Sequence, residues 1–451
     1  MGARATTTNL ALANVKNAGK LRTLLEKLSL NDKEEGQHVV EEEEKEEEDQ
    51  QEEGEGARVS NSVSRAPRNG SEENLGLSSV HVLPNDILTL IFARLPRATL
   101  SAIRLTCSTW KRLCQHQDIA VLRRQMGVAE GWIYVLAEKP AGSSFRVFDP
   151  QANKWSMLPP IAGHSLQENW QGFACVAVGH KLILMGGRYV DTTTSMHHSS
   201  GSACGDVIVY SALTNQWTRA SSMKTPRSWF AAAVIGTQVY IAGGQGKAHF
   251  LDSAEVYDSE KDTWHSIASM GSVRSSCHGV ALDGEFWVIA GEYNKNHYDD
   301  GNRKGSAEVF DPLTGSWRFI PDMWLDSHKV PGPNTVIGGE LVFVHLSKLM
   351  AYNKDTNGWM HLGHVSGADV YNRPFSRFGF ACESVHNNLY IIGGKWESWQ
   401  NRSRFCVQTL NTVEVCDLQI SKSASRLLGW RACASMVDGG GIITASAVLW
   451  L

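Results

Sequence analysis

The chain has 451 residues, enough for about three domains, with 43 basic against 47 acidic side chains. That balance excludes a general polyelectrolyte and gives no basis for nucleic-acid binding. No run of eighteen apolar residues occurs and the N-terminus lacks a continuous apolar signal core, so the expectation is a soluble protein with no membrane contact, in the cytoplasm, the nucleus or both.

Residues 1–78 carry 10 basic and 17 acidic side chains, and the block from Glu41 to Asp49 is broken only by Lys45. Such a segment repels itself and stays solvated, which predicts a disordered acidic tail rather than a specific docking site. Met1-Gly2-Ala3-Arg4-Ala5-Thr6 fits the loose N-myristoylation pattern, and the early basic, Ser/Thr-containing stretch has some character of an organelle-targeting helix. Both patterns are short and common by chance, and one acyl chain anchors only marginally.

Residues 79–124 form the next segment. Leu83-Pro84-Asn85-Asp86-Ile87-Leu88 opens a run with apolar residues at 87, 88, 91, 92 and 95, the spacing of one helical face. Pro96 ends that helix, and Thr99 and Ser108 are placed to cap two further short helices carrying Leu100, Ile103, Trp110 and Leu113. Leu83-Pro84, Ile91, Leu95-Pro96, Arg104 and then Trp110-Lys111-Arg112-Leu113 together resemble an F-box. A module of this size has little core of its own and should depend on a partner surface for good order.

From residue 130 to 451 a repeat governs the pattern. An aromatic that ends a strand-like run is followed seven positions later by tryptophan five times: Phe148/Trp155, Tyr210/Trp217, Tyr257/Trp264, Phe310/Trp317 and Tyr352/Trp359. Between them stand turn residues, with Asn153, Asn215, Asp262, Gly315 and Asn357 at the place that needs a positive backbone angle. Each unit therefore reads as strand, turn, strand. Extending backwards adds two strands, the second ending in Gly186-Gly187, Gly243-Gly244, Gly393-Gly394 or a lone Gly291. A double glycine, then Ala254-Glu255-Val256-Tyr257-Asp258 or Ala307-Glu308-Val309-Phe310-Asp311, then Trp, resembles the kelch repeat, which implies a β-propeller.

The first unit lacks an opening strand, and the apolar run Ile442 to Leu451 lies beyond the last unit, whose tryptophan is placed at Trp430 after an insertion. The expected fold is thus mainly β: a six-bladed propeller closed by its C-terminal strand, preceded by a small helical F-box and the tail. The repeat tryptophans are expected in the core. Nine cysteines form no C-x-x-C pair and read as reduced core residues. Cys107, Cys114 and His116 fit no common zinc spacing, and His197-His198 has no nearby ligand set. No metal and no cofactor are expected.

The resemblance implies a receptor subunit without catalytic groups. The F-box would bind a Skp-family adaptor through Leu83, Pro84, Ile87, Ile91, Leu95, Pro96 and Trp110, the adaptor would join a cullin and a RING subunit, and the propeller would hold a target protein for ubiquitination and degradation. The plain alternative for those apolar side chains is helix packing. Propellers commonly present partners at one mouth of the channel, which makes Trp170, Arg188, Tyr189, Arg227, Trp229, Arg274, Tyr293, Arg373, Arg377 and Trp396 the target-binding candidates. Arginine before the first strand is also a recurrent kelch feature with a packing role, so each has both readings. A non-degradative scaffold is the alternative function. A metal-dependent propeller enzyme ranks third, because no Glu-x-x-x-Asp-x-x-x-His arrangement, phosphate loop or Gly-x-Ser-x-Gly elbow occurs. The pairing of one F-box with kelch repeats is especially common in plants.

Overall fold

A computed structural model of the chain describes residues 83–138, 144–161, 169–190, 202–291, 305–324, 332–345, 347–365, 376–400, 404–418, 429–437 and 440–451. The tail at 1–78 lies outside them. The chain divides into two units after Val128.

In the first unit, Pro84 and Pro96 each stand just before a helix in extended conformation, where a residue without an N–H forfeits no hydrogen bond. The helices are α1 Asn85–Arg94, α2 Arg97–Ile103, α3 Ser108–Gln115 and α4 Gln117–Gln125. The structure corrects the sequence reading here. Among the described residues there are four helices rather than three, Pro96 rather than Thr99 precedes α2, and the Cys107 thiol rather than Ser108 caps α3, accepting from Trp110 N at 3.5 Å. The fourth helix completes a small core of Leu88, Phe92, Leu100, Ile119 and Leu122. It also supplies Arg123, fully buried, whose guanidinium donates to the carbonyls of Ala93, Leu95 and Val128. Those carbonyls lie at or beyond the end of α1 and at the end of the unit, where helix geometry leaves acceptors open.

The second unit is the propeller. Blade 1 holds β1 Gly131–Glu138, β2 Ser144–Asp149 and β3 Lys154–Met157; blade 2 holds β4 Asn169–Val178, β5 Lys181–Val190, β6 Val207–Ser211 and β7 Gln216–Ala220. Blade 3 holds β8 Ala231–Ile235, β9 Gln238–Ala242, β10 Ala254–Asp258 and β11 Thr263–Ile267; blade 4 holds β12 His278–Leu282, β13 Glu285–Ile289, β14 Ala307–Asp311 and β15 Ser316–Ile320. Blade 5 holds β16 Asn334–Ile337, β17 Glu340–His345, β18 Lys348–Asn353 and β19 Gly358–His364. The sixth blade is interrupted. A short β20 Ser376–Phe378 precedes β21 Ala381–Val385 and β22 Asn388–Ile392; a hairpin of β23 Lys395–Gln400 and β24 Arg404–Thr409 is inserted before β25 Val413–Asp417 and β26 Trp430–Cys433. The inserted hairpin pairs with β20 as a separate three-stranded sheet.

The last strand, β27 Ile442–Trp450, pairs antiparallel with β1 from Gly131↔Trp450 to Glu138↔Ile442 and supplies the missing strand of blade 1. Closure leaves no open seam between the first and last repeats. Turn chemistry is as the sequence required: Asn153, Asn215, Asp262, Gly315 and Asn357 all have φ between 46° and 68°. The hydroxyls of Tyr210, Tyr257 and Tyr352 then donate to the side-chain oxygens of Asn215, Asp262 and Asn357 at 2.7–2.8 Å, tying each aromatic to its turn.

The tryptophans pack on the blade cores and do more than fill them. Only Trp264 is buried; the remaining five are partly exposed at the blade boundaries. Each indole N–H donates to a carbonyl just past the last strand of the preceding blade: Trp217 to Pro159, Trp264 to Ser221, Trp317 to Ala268, Trp359 to Met323 and Trp430 to His364. Trp155 donates to Ala434 and closes the circuit. The indole thus packs one blade and binds the next with a hydrogen bond contributing about 1 kcal/mol.

Backbone proximity explains the glycines. A Cβ on Gly243 would stand 2.5 Å from the Arg274 carbonyl oxygen, and one on Gly186 would stand 2.5 Å from that of Arg227. Gly284 also has positive φ, 79°, yet nothing lies within 4 Å of its Cβ position. Gly243→Ala therefore lowers unfolding free energy by about 3 kcal/mol or more, and Gly284→Ala by only about 1 kcal/mol. Urea unfolding of the two variants side by side checks the contrast.

Candidate functional site

On α1 the apolar residues separate into two faces. Leu88 and Phe92 point inward, and the Phe92 ring meets Trp110 edge-on at 5.2 Å. Leu83, Ile87 and Ile91, spaced four apart, are left 40%, 39% and 41% exposed. Pro84 and Pro96 are exposed with them, whereas Leu95 and Trp110 are half-buried. The seven side chains grouped by sequence thus divide into an outward stripe and an inward packing pair.

In the propeller, three candidate arginines turn out to be frame. Arg227 and Arg274 have no exposed surface and Arg377 is buried. Arg227 pairs with Glu255 at 2.7 Å, Arg274 with Glu308 at 3.0 Å, and Arg377 with Glu414. The same guanidiniums donate to the carbonyls of Gly243, Ala290 and Gly393 at the ends of the second strands. A cation removed from water persists only with a paired anion and filled donor positions, and both conditions are met. Their target-binding reading is therefore corrected to packing. The matching glutamates are legible in the repeated Ala-Glu-Val of β10 and β14, but the pairing is not, because their partners lie 28–37 residues away.

Blade 2 replaces both members of this pair. Trp170 stands where the arginine would be, buried, its Nε1 donating to Gly186 O at 2.9 Å. Strand register puts Ile208 in the place of the glutamate: Ile208 faces Leu184 as Glu255 faces Ile241. Trp170 is thus another framework residue.

The remaining described candidates gather at the end of blade 2. β4 and β5 are twice the usual length, so Arg188 and Tyr189 lie on a strand rather than in a loop, opposite Gln171 and Trp170. The Arg188 guanidinium is buried, donates to Ser228 Oγ at 3.1 and 3.3 Å, and lies 4.3 Å from the centre of the Trp229 ring. No carboxylate pairs with it among the described residues, and burial holds its pKa below the ordinary value. Tyr189 and Trp229 are half-buried. Trp229 has φ 51° at the place where Gly172, Ser276 and Gly379 show φ 65°, 54° and 61°. Tyr293 and Arg373 lie outside the described residues. Trp396 is placed in β23, opposite Arg377.

The six innermost strands enclose a cavity of about 490 Å³. Its wall is residues 172–176 of blade 2, residues 229, 230 and 232 of blade 3, 276–279 of blade 4, 333–334 of blade 5, 380–383 of blade 6 and 443–446 of β27. The volume suits a small ligand or an inserted side chain. Burial pushes the Cys277 thiol there up to about 11 and raises Cys175 and Cys382 further, so all three are protonated at neutral pH. Among the described residues no group of three His, Cys, Asp or Glu side chains is arranged to hold a metal.

Two family models match the chain. One, described as an F-box domain, covers residues 81–121; the other, described as a KLHDC2/KLHL20/DRC7 Kelch-repeats domain, covers residues 116–336. The F-box/kelch-repeat protein At1g16250 of Arabidopsis thaliana is 28% identical over 384 residues, 82% of this chain and 97% of its own length. The F-box/kelch-repeat protein At1g67480 of the same plant is 33% identical over 238 residues, 52% of this chain and 60% of its own. The solved structure of YjhT, 14% identical, covers 62% of this chain and 96% of that one with a TM-score of 0.46.

Proposed function

Because this chain is an F-box/kelch-repeat protein, we propose that it is the substrate-recognition subunit of a Skp–cullin–F-box ubiquitin ligase. The observation that carries the reading is the stripe of Ile87 and Ile91, left uncovered on a helix whose opposite face is packed, with Leu83 exposed just before the helix. An apolar stripe at helical spacing is the form in which one helix enters a partner's groove. In this reading the stripe, with Pro84 and Pro96, docks on a Skp-family adaptor, which links the chain to a cullin and a RING subunit. The propeller binds the target around Tyr189 and Trp229. Holding the target near the charged conjugating enzyme raises effective concentration, so the chain needs no catalytic group. It acts in the cytoplasm or nucleus, where its thiols stay reduced; eight cysteines among the described residues are free.

The test compares proteins co-purifying from native cells with the intact chain and with a Leu83→Ala/Pro84→Ala variant, by quantitative mass spectrometry. The expected result is loss of adaptor and cullin from the variant, with another protein retained and accumulating as the target. Absence of adaptor and cullin from both samples would overturn the reading and leave the propeller as a scaffold.

A further inference from the structure

Among the described residues, Glu383 is the one charged residue of the channel wall, and the fold does not explain its presence. Strand register aligns Glu383, opposite Tyr390, with Ala233 opposite Tyr240, Val280 opposite Trp287 and Val176 opposite Ile183. Three blades close with an apolar side chain at this place, so packing does not call for a carboxyl group. Glu255 and Glu308, two buried glutamates of the propeller, each have an arginine. Among the described residues no lysine or arginine lines the channel, and the Ser446 hydroxyl hydrogen-bonds the Glu383 carboxyl. A carboxylate has room for about four such bonds. Around it the wall is mixed, with the small residues Ala174, Ala232, Gly279 and Ala445 beside the polar Ser276, Asn334 and Thr444.

The geometry points to a binding site for an organic cation, an ammonium or guanidinium on a narrow apolar stem, held in the channel by the Glu383 carboxylate. The head meets the carboxylate, and the stem meets the alanines of the wall. Two sources have this chemistry: a lysine or arginine side chain of a bound protein, or a free small amine. The first deepens the receptor reading above and rests on it; the second stands without it.

Burial raises the Glu383 carboxyl to about 7, so it is about half ionised near neutrality. The other titratable groups of the wall are Cys175, Cys277 and Cys382, which stay protonated, and His278, whose Nδ1 is 2.9 Å from Asn334 Nδ2. Blades 3 and 5 and β27 contribute none; behind β21 stands Tyr390.

Calorimetric titration of the full chain with butylguanidine and butylamine tests the site, with butanol and butyrate as controls. Saturable binding of the cations alone is expected, tightening about tenfold from pH 6 to pH 8 as the competent ionised fraction rises. Glu383→Gln abolishes binding, and His278→Gln keeps both binding and its pH dependence. Glu383→Gln should fold at least as well: a carboxyl with a raised folded pKa loses stability as pH rises from its unfolded value through about 7. Its melting temperature therefore exceeds that of the parent at pH 8 and matches it at pH 4. Displacement of butylguanidine by an arginine-containing peptide assigns the cation to a protein side chain, and failure of such peptides to compete assigns it to a free amine; either supports the site. No saturable binding at pH 8, or equal binding by Glu383→Gln, overturns it. Adaptor capture, measured on the same samples, reports separately on the receptor reading.

Discussion

Arg274→Ala lowers the unfolding free energy of the propeller by about 3–5 kcal/mol, because it leaves Glu308 charged, buried and without its partner. Glu308 is 3% exposed and Arg274 has no exposed surface, so water cannot replace the lost contact. The guanidinium also donates to the carbonyls of Ala290 and Ser306 and to Ser306 Oγ, which all lose a donor. Blade 2 supplies the remedy, since Trp170 and Ile208 occupy the same two places without a charge. The double variant Arg274→Trp/Glu308→Ile should therefore recover most of the deficit, leaving about 1–2 kcal/mol for the carbonyls still unmatched. Urea unfolding of the parent, single and double variants measures the cycle. A double variant no more stable than the single one would show that the pair does more than neutralise itself.

The second large effect is on the helical unit. Ile87→Asp/Ile91→Asp should weaken adaptor affinity by at least a hundredfold while helix content by circular dichroism is unchanged. Each isoleucine is about two-fifths exposed in the free chain, so a charge there is tolerated before docking. In an apolar groove the same charge loses its water, and the side chain forfeits about 1.5–3 kcal/mol of burial. Phe92→Ala is the contrasting variant. Phe92 is 3% exposed and packed on Trp110, so its loss unfolds the helices and removes binding together with helical signal. Affinity by surface capture and helix content on the same preparations separate the two cases. Retained affinity in the double aspartate variant would move the adaptor surface elsewhere.

The chain's own repeats made much of the architecture legible. The seven-residue offset from aromatic to tryptophan, with Asn153, Asn215, Asp262, Gly315 and Asn357 between, reports local geometry: two short strands and a turn that needs positive φ. Local requirements of this kind are written into neighbouring residues. The pairing of β27 with β1 was also readable, from a missing strand at one end and a spare apolar run at the other. The inserted hairpin of the last blade was not, because Lys395 to Thr409 has no repeat to copy. In the helical unit α4 escaped notice, since its argument for existing is Arg123 reaching the end of α1 some thirty residues away.

By itself, then, the sequence determined the repeat, its strands and turns, the ring closure and the amphipathic helix after Pro84, all of which depend on periodicity and on residues close along the chain. Tertiary structure alone decided what the side chains do. Arg227, Arg274 and Arg188 read alike in one dimension, yet two are neutralised by glutamates in the frame and the third lies over Trp229 with no carboxylate beside it among the described residues. Glu383 reads like any strand residue in one dimension, and six blades place it in a channel wall with no lysine or arginine among the described residues. Charge and solvation depend on what surrounds a group in space, and the residues that surround these come from strands far apart in the chain.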